Sequence, residues 1–330
     1  MKRLAIAVLA VLLLCSAAMA KEPKEIRFGV IATDNTSFLK KQFTPLVDAM
    51  AKSTGYDVKL FFASDYTGVI EAMRFKKVDI GWFGNKSAIA AVDRANAEVF
   101  CKISNKDDSD GYHSLLITHV DSPLNSLEDL LKAPGKYTFG NGDPQSTSGN
   151  LIPSYYVFAQ NGITPNKHFK VVRNANHETN ALATVNKQVD VATNNNKALY
   201  RFNKRWPEKR KKIKVIWTSP VIPSDPFCWR SDLDPIAKRK IKKFFLDFGR
   251  KGPNAEAERN TLADTMGGWG LFMDSNNDQL LTVRQLVLFK DRLKLETSRN
   301  LSEKEKKQRI AEIDKKLTEI SKRVAELKRN

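Results

Sequence analysis

The chain has 330 residues, with 55 Lys and Arg against 37 Asp and Glu, for a formal net charge of +18. That length is more than one compact core usually serves and suits two lobes. The four His and three Cys are scattered without CxxC or HExxH spacing, so no metal site and no cofactor are expected. Residues 1–20 read as a secretory signal: Lys2 and Arg3, an apolar run from Leu4 to Leu14, and Ala18-Met19-Ala20 before a cleavage point. The run is shorter than the ~20 residues of a spanning helix. Cys15 hints at a lipoprotein site, but Leu14 before it is not small, so an exported, soluble protein is expected. Export removes only Lys2 and Arg3, leaving +16. The remaining cations are spread, with clusters at 204–214, 238–243 and the tail. No helix carries base-reading spacing, so a solvated basic surface that attracts small anions is expected and nucleic acid is not.

From residue 25 the pattern alternates. EIRFGVIA, YDVKLFFA and VDIGWFG read as strands; SFLKKQFTPLVDAMAKSTG, GVIEAMRFKK and NKSAIAAVDRAN read as helices. VFCKIS and HSLLITHV are further strands. This rhythm predicts parallel sheets with helices on both faces. It restarts near SLEDLLKAPGKYTFGNGD and runs to KVIWTSP, so the chain is expected to leave one lobe near 119–123 and return near 220–226. The division is a first lobe over 21–119 and 221–295, a second over 120–220, and a terminal helix over 296–330. Two crossings create a cleft where strand ends and helix starts face each other. Cys101 and Cys228 sit in apolar strands and read either as buried thiols or as a pair.

The stretch TFGNGDPQSTSGNLIPSYYVFAQNGI, residues 138–163, reads as strand, loop and amphipathic helix, with Ser146, Thr147 and Ser148 opening the helix. Three hydroxyls beside unpaired helix N–H groups form a cradle for an oxyanion. No Lys or Arg lies between Tyr137 and Lys167, so neutral donors rather than cations are expected to hold it. An ordinary Ser/Thr cap is the competing reading.

With NANHETNALATVNKQVDVATNNNKAL, DYTGVIEAMRFKKVDIGWFGN and IPSDPFCW, this stretch resembles the periplasmic phosphonate-binding proteins of ABC transporters, across roughly residues 26–293. The resemblance implies a two-lobed type II periplasmic-binding-protein fold that closes on its ligand by hinge bending. It also implies that Ser146, Thr147, Ser148, Tyr66, Tyr112 and His177 hold the oxyanion, with Asn85 and Gln145 as second-rank donors. For the organic tail, relatives that bind aminoalkylphosphonates use two carboxylates. One matches Asp225; the other falls on Lys197, reversing the charge. Lys197 then pairs with Asp225 and favours a small ligand, receives an anionic tail, or swings to solvent. The implied partners are a small phosphonate-type anion and an ABC permease. Phosphite or phosphate binding and a periplasmic sensor are the alternatives. His177 and Glu178 are the only nearby acid–base pair, and adjacent helical residues point apart, so no enzyme is expected.

The tail differs in kind. Ser302 and Glu305 make a capping box. Ile310, Ile313, Leu317, Ile320, Val324 and Leu327 then repeat at heptad spacing on a charged helix, predicting a partner helix from a second copy, or docking on its own lobe.

Overall fold

The computed structural model describes residues 23–107, 109–296, 298, 301–327 and 329. The signal segment and Cys15 lie outside these residues. Eleven strands are described: β1 Glu25–Val30, β2 Asp57–Phe62, β3 Ile80–Trp82, β4 Ala97–Asn105, β5 Ser114–His119, β6 Thr138–Gly142, β7 Val171–Ala175, β8 Val191–Asn195, β9 Ile213–Thr218, β10 Pro226–Arg230 and β11 Trp269–Asp274. They form two sheets, ordered β11-β4-β10-β3-β1-β2 and β7-β6-β8-β5-β9.

Both sheets are mixed rather than parallel. β1 pairs in parallel with β2 and β3, and β6 with β7 and β8. However, β10 runs antiparallel to β3 and β4, and β5 antiparallel to β8 and β9. The reason is where the chain enters each sheet. β5 and β10 are the first strands after a crossing, so they begin at the cleft edge and must run away from it. β5 belongs to the second sheet, which puts the first crossing at residues 106–113 rather than 119–123. The return runs between Thr218 and Pro226.

The two crossings pair with each other. Tyr112 and Ile222 exchange backbone hydrogen bonds of 2.9 and 2.8 Å. Gly111 beside them sits at φ +102°, and a Cβ there would lie 2.5 Å from the Ile222 carbonyl oxygen, so only glycine fits the junction.

The first lobe encloses one aromatic core, including Phe28, Phe43, Phe100, Phe227, Phe245 and Phe272. Each fully buried ring contributes on the order of 2–3 kcal/mol. In the second lobe the period-2 alternation of strands divides the core between the two sheet faces. Leu116, Phe139 and Val191 point to one side, and Leu115, Ile117 and Ala192 to the other. Cys101 and Cys228 lie on the adjacent strands β4 and β10 as free, buried thiols. Burial pushes both up.

The helix Glu303–Leu327 starts at the expected box: Ser302 N–H donates to Glu305 (2.9 Å) and Glu305 N–H to Ser302 Oγ (3.3 Å). Its seam packs on the chain's own helix Leu281–Glu296, which buries Leu317 and Ile320. Asp314 accepts from Arg292 (2.7 Å), Asp278 from Arg323 (2.8 Å), and Ser321 from Gln285 (3.0 Å). The seam is therefore engaged within the chain, as in the docking alternative, by the preceding helix. A seven-residue seam fits any antiparallel helix, including the one preceding it.

Candidate functional site: a closed anion cavity between the lobes

Ser146 caps the turn that follows β6, its Oγ accepting from Gly149 N at 2.9 Å. The expected regular helix is instead a wide turn. Leu151 N–H reaches back five residues to Ser146 C=O (3.1 Å), and Ile152 N–H to Thr147 C=O. Pro153 has no N–H to give a regular ladder, and the same wide winding resumes over Ser154–Phe158. The turn presses on β6 so closely that a Cβ on Gly142 would lie 2.4 Å from the Gly149 carbonyl oxygen. All three hydroxyl residues are buried.

The opposite lobe closes over them. Lys86 N–H donates to Thr147 Oγ1 (2.9 Å) and Tyr66 N–H to Asp143 (3.2 Å). Lys86 Nζ donates to Asn150 Oδ1 (3.0 Å). What remains between the lobes is a small, partly open cavity of about 50 Å³. The hydroxyls of Ser146, Thr147 and Ser148 line it, together with Tyr66, Tyr112, His177, Lys197 and Asp225. The sequence reading thus converges on one cavity for eight residues. Asn85 and Gln145 stand apart from it. Asn85 is fully buried, donating to Pro223 C=O (2.7 Å) and accepting from Gln279 (3.3 Å). Gln145 contributes its backbone N–H to the Asp143 carboxylate (2.7 Å).

Tyr66 starts its helix behind the Asp65 cap, whose carboxylate accepts from Gly68 N (2.8 Å). Tyr112 donates to Asp225 Oδ1 at 3.0 Å. Burial, with the Asp143 and Asp225 charges beside Tyr66 and the Asp225 charge beside Tyr112, pushes both phenols well up, so they remain protonated donors. Burial also raises Asp225 to about 7, against the lowering effects of the Tyr112 hydrogen bond, Arg201 and Lys197. His177 is lowered to about 4 by burial, with Asp34 opposing, and is neutral. Asn195 Nδ2 donates to both His177 Nε2 (3.1 Å) and Ser148 Oγ (3.1 Å). The acceptor nitrogen of the ring is therefore Nε2, and Nδ1 carries the proton without a partner.

Several cavity residues were invisible in the sequence. Trp82 and Trp269 form an aromatic wall with centroids 5.5 Å apart, and Trp82 Nε1 is buried without an acceptor. Arg201, 5% exposed, donates from Nη2 to Asp34 (2.8 Å), while its Nε has no partner. Neutral donors are therefore not alone: two cations line this cavity. Lys197, Arg201 and Arg205 recur at every fourth position along the helix Asn196–Arg205, a spacing that marks one face. Sequence reasoning also saw no base beside the hydroxyls. His177 Nε2 lies 3.4 Å from Ser148 Oγ, but no carboxylate orients the ring.

Beside the cavity, four charges clasp the lobes. Asp34 accepts from Arg201 (2.8 Å) and Arg205 (2.7 Å), and Glu178 accepts from Arg205 (2.6 Å) and from Asn35 Nδ2 (2.7 Å). Burial would raise Asp34, but the two guanidiniums outweigh it and hold the carboxyl below its ordinary value. Glu178 thus serves the clasp and forms no dyad with His177.

Two α/β lobes joined by paired crossings, with a polar cavity between them, define a solute receptor of the bacterial transport type. A family model described as "ABC transporter, phosphonate, periplasmic substrate-binding protein" matches residues 28–280, and the chain belongs to this family, whose members are transport components rather than enzymes. The chain is 47% identical over 308 residues to the "Phosphonates-binding periplasmic protein" of Escherichia coli K12, covering 93% of this chain and 89% of that one. It is 46% identical to the solved binding protein component of an ABC phosphonate transporter from Pseudomonas aeruginosa, with a TM-score of 0.88 over 93% of this chain and 100% of that one. A Prochlorococcus marinus protein solved with methylphosphonate is 22% identical, with a TM-score of 0.67 over 80% of this chain and 97% of that one; it shares the fold. The family is periplasmic, and no described helix is long and apolar enough to cross a membrane.

Proposed function

We propose that this chain captures a phosphonate-type oxyanion by closing its lobes, and delivers it from the periplasm to an ABC permease. The observation that carries the reading is the polarity of the cavity. Three buried hydroxyls line it, and Trp82 Nε1 and His177 Nδ1 are buried N–H groups with no acceptor. An unmatched buried donor costs about 1–3 kcal/mol, so such a cavity is built for an acceptor-rich ligand. Ser146, Thr147, Ser148, Tyr66, Tyr112 and His177 hold the oxyanion in this reading, and Asp225 and Lys197 face its substituent. Residues 1–20 direct export, and the mature protein is soluble rather than lipid-anchored.

The test is calorimetric titration of ligand-stripped mature protein with methylphosphonate, phosphite and phosphate. Tight, saturable methylphosphonate binding supports the proposal. Exclusive binding of phosphite or phosphate would transfer the function to those anions, and heat from none of the three would remove it.

A further inference from the structure

Lys197 and Arg201 are one helical turn apart on Asn196–Arg205, and both line the cavity. Arg201 is shared with the clasp through Asp34, whereas Lys197 is not. Lys197 is half-buried and forms no ion pair among the described residues. Burial lowers it, while the Asp107 and Asp225 charges act at longer range to raise it, and Arg201 lowers it further. Arg201 is nearly fully buried and lines the cavity while donating from Nη2 to Asp34; its Nε has no partner, as is also the case for Arg205 and Arg230. Asp34 is itself shared with Arg205, so the clasp does not absorb the whole Arg201 fork.

The carboxylate left to balance these cations in the cavity is Asp225, which burial raises to about 7 and which already accepts from Tyr112. The hydroxyl cradle lies on the turn after β6, whereas the two cations project from the helix after β8. One ligand spanning both must therefore carry charge at two separate points.

We propose that Lys197 and Arg201 form a subsite for a second anionic group, and that the ligand is a short phosphonocarboxylate or comparable bis-anion with its phosphonate on the hydroxyl cradle. A guanidinium offers a planar fork for a carboxylate, and an ammonium one turn away supplies a second point of charge. The cavity is small, which keeps the linker short. Room for the second group lies on the Lys197 side, because Lys197, Asn105 and Gly111 also line an outer groove of about 850 Å³. A cationic substituent would instead meet two like charges.

This inference rests on the oxyanion reading above, and the experiment separates the two. Wild-type protein is titrated with methylphosphonate, phosphonoacetate and 2-aminoethylphosphonate, then with the same ligands on Lys197→Gln and Arg201→Lys. The expected wild-type order places phosphonoacetate at least tenfold ahead of methylphosphonate, with 2-aminoethylphosphonate weakest. Lys197→Gln removes most of that preference. Arg201→Lys, which keeps the charge but not the fork, reduces it severalfold. Lys197 is half-exposed, so its variant reads the subsite even if a change at the buried Arg201 disturbs folding. Tightest binding of 2-aminoethylphosphonate by wild type, or an unchanged ratio in Lys197→Gln, overturns the subsite and leaves the oxyanion reading standing. Failure of all three ligands overturns both.

Discussion

The cleft contains two buried polar clusters that differ in how completely they are satisfied. In the clasp, the Asp34 and Glu178 carboxylates are each met by Arg205 across the lobe boundary, Asn35 adds a donor to Glu178, and Arg205 Nε is left over against the Phe38 ring, which lies 3.8 Å from the guanidinium. Among the residues lining the cavity, Trp82 and His177 each keep a buried nitrogen, Nε1 and Nδ1, without an acceptor. A buried cluster whose charges are paired fixes geometry, whereas one whose donors outnumber its acceptors favours an acceptor-rich ligand. Arg201 belongs to both, with Asp34 on one side and the cavity on the other. The clasp accounts for why the lobes close, and the cavity for what they close upon.

The sharpest way to break this comparison is to remove the cradle. Ser146→Ala with Thr147→Ala deletes two hydroxyls expected to donate to an anion, each worth about 1.5–3 kcal/mol. Methylphosphonate affinity should fall a hundredfold or more by calorimetry, and undiminished affinity would remove the cradle. Arg205→Gln tests the other cluster without touching the cavity. Taking one partner from a buried pair costs about 3–5 kcal/mol. Loss of closure should weaken every ligand by the same factor, on the order of a hundredfold, without changing their order. The unliganded protein should also scatter X-rays as a wider particle. A changed ligand order would mean that the two clusters are not separable.

The titrating groups sharpen the contrast. His177, lowered to about 4, is neutral in the fold while its unfolded form still binds a proton, so it makes stability rise with pH between about 4 and 6.5. Asp225, raised to about 7, keeps its proton in the fold when the unfolded carboxyl has lost it, so it makes stability fall between about 4 and 7. The two slopes oppose each other over nearly the same window. Asp225→Asn removes one of them. Denaturant melts of that variant should gain stability between pH 4 and 6.5 more steeply than wild type. A parallel profile would mean that Asp225 is ordinarily ionised.

How far the sequence carried this picture depended on range. Caps are local, so Ser302 and Glu305 marked their helix correctly. The hydroxyl triplet was legible for the same reason, although Pro153 changed the winding behind it. The first crossing was misplaced because SLLITH reads as a buried strand in either lobe, and only its antiparallel pairing with β8 and β9 assigns it. Arg201 went unnoticed because its partner Asp34 is 167 residues away. The signal available was the four-residue spacing of Lys197, Arg201 and Arg205, which resembles an ordinary solvated stripe until the opposing lobe covers it.

The smallest effect expected is at the terminal hairpin, the part of the molecule farthest in kind from the cleft. Helix Leu281–Glu296 reaches both lobes: Arg284 pairs with Asp93 at 2.8 Å, and Phe289 stacks on Tyr155 at 6.2 Å. Glu303–Leu327 packs on the far side of that helix and contributes nothing to the cavity lining. Deleting residues 301–330 removes the Arg292–Asp314 and Gln285–Ser321 contacts and should lower the melting temperature by a few degrees, on the scale of about 1–2 kcal/mol for a chain of this size. Ligand affinity should stay within about twofold of wild type. A loss beyond tenfold would show that the hairpin braces the brace. Helix Leu281–Glu296 would then need its outer partner to hold the two lobes at the angle that shapes the cavity, and the separation between closing machinery and terminal hairpin would have to be redrawn.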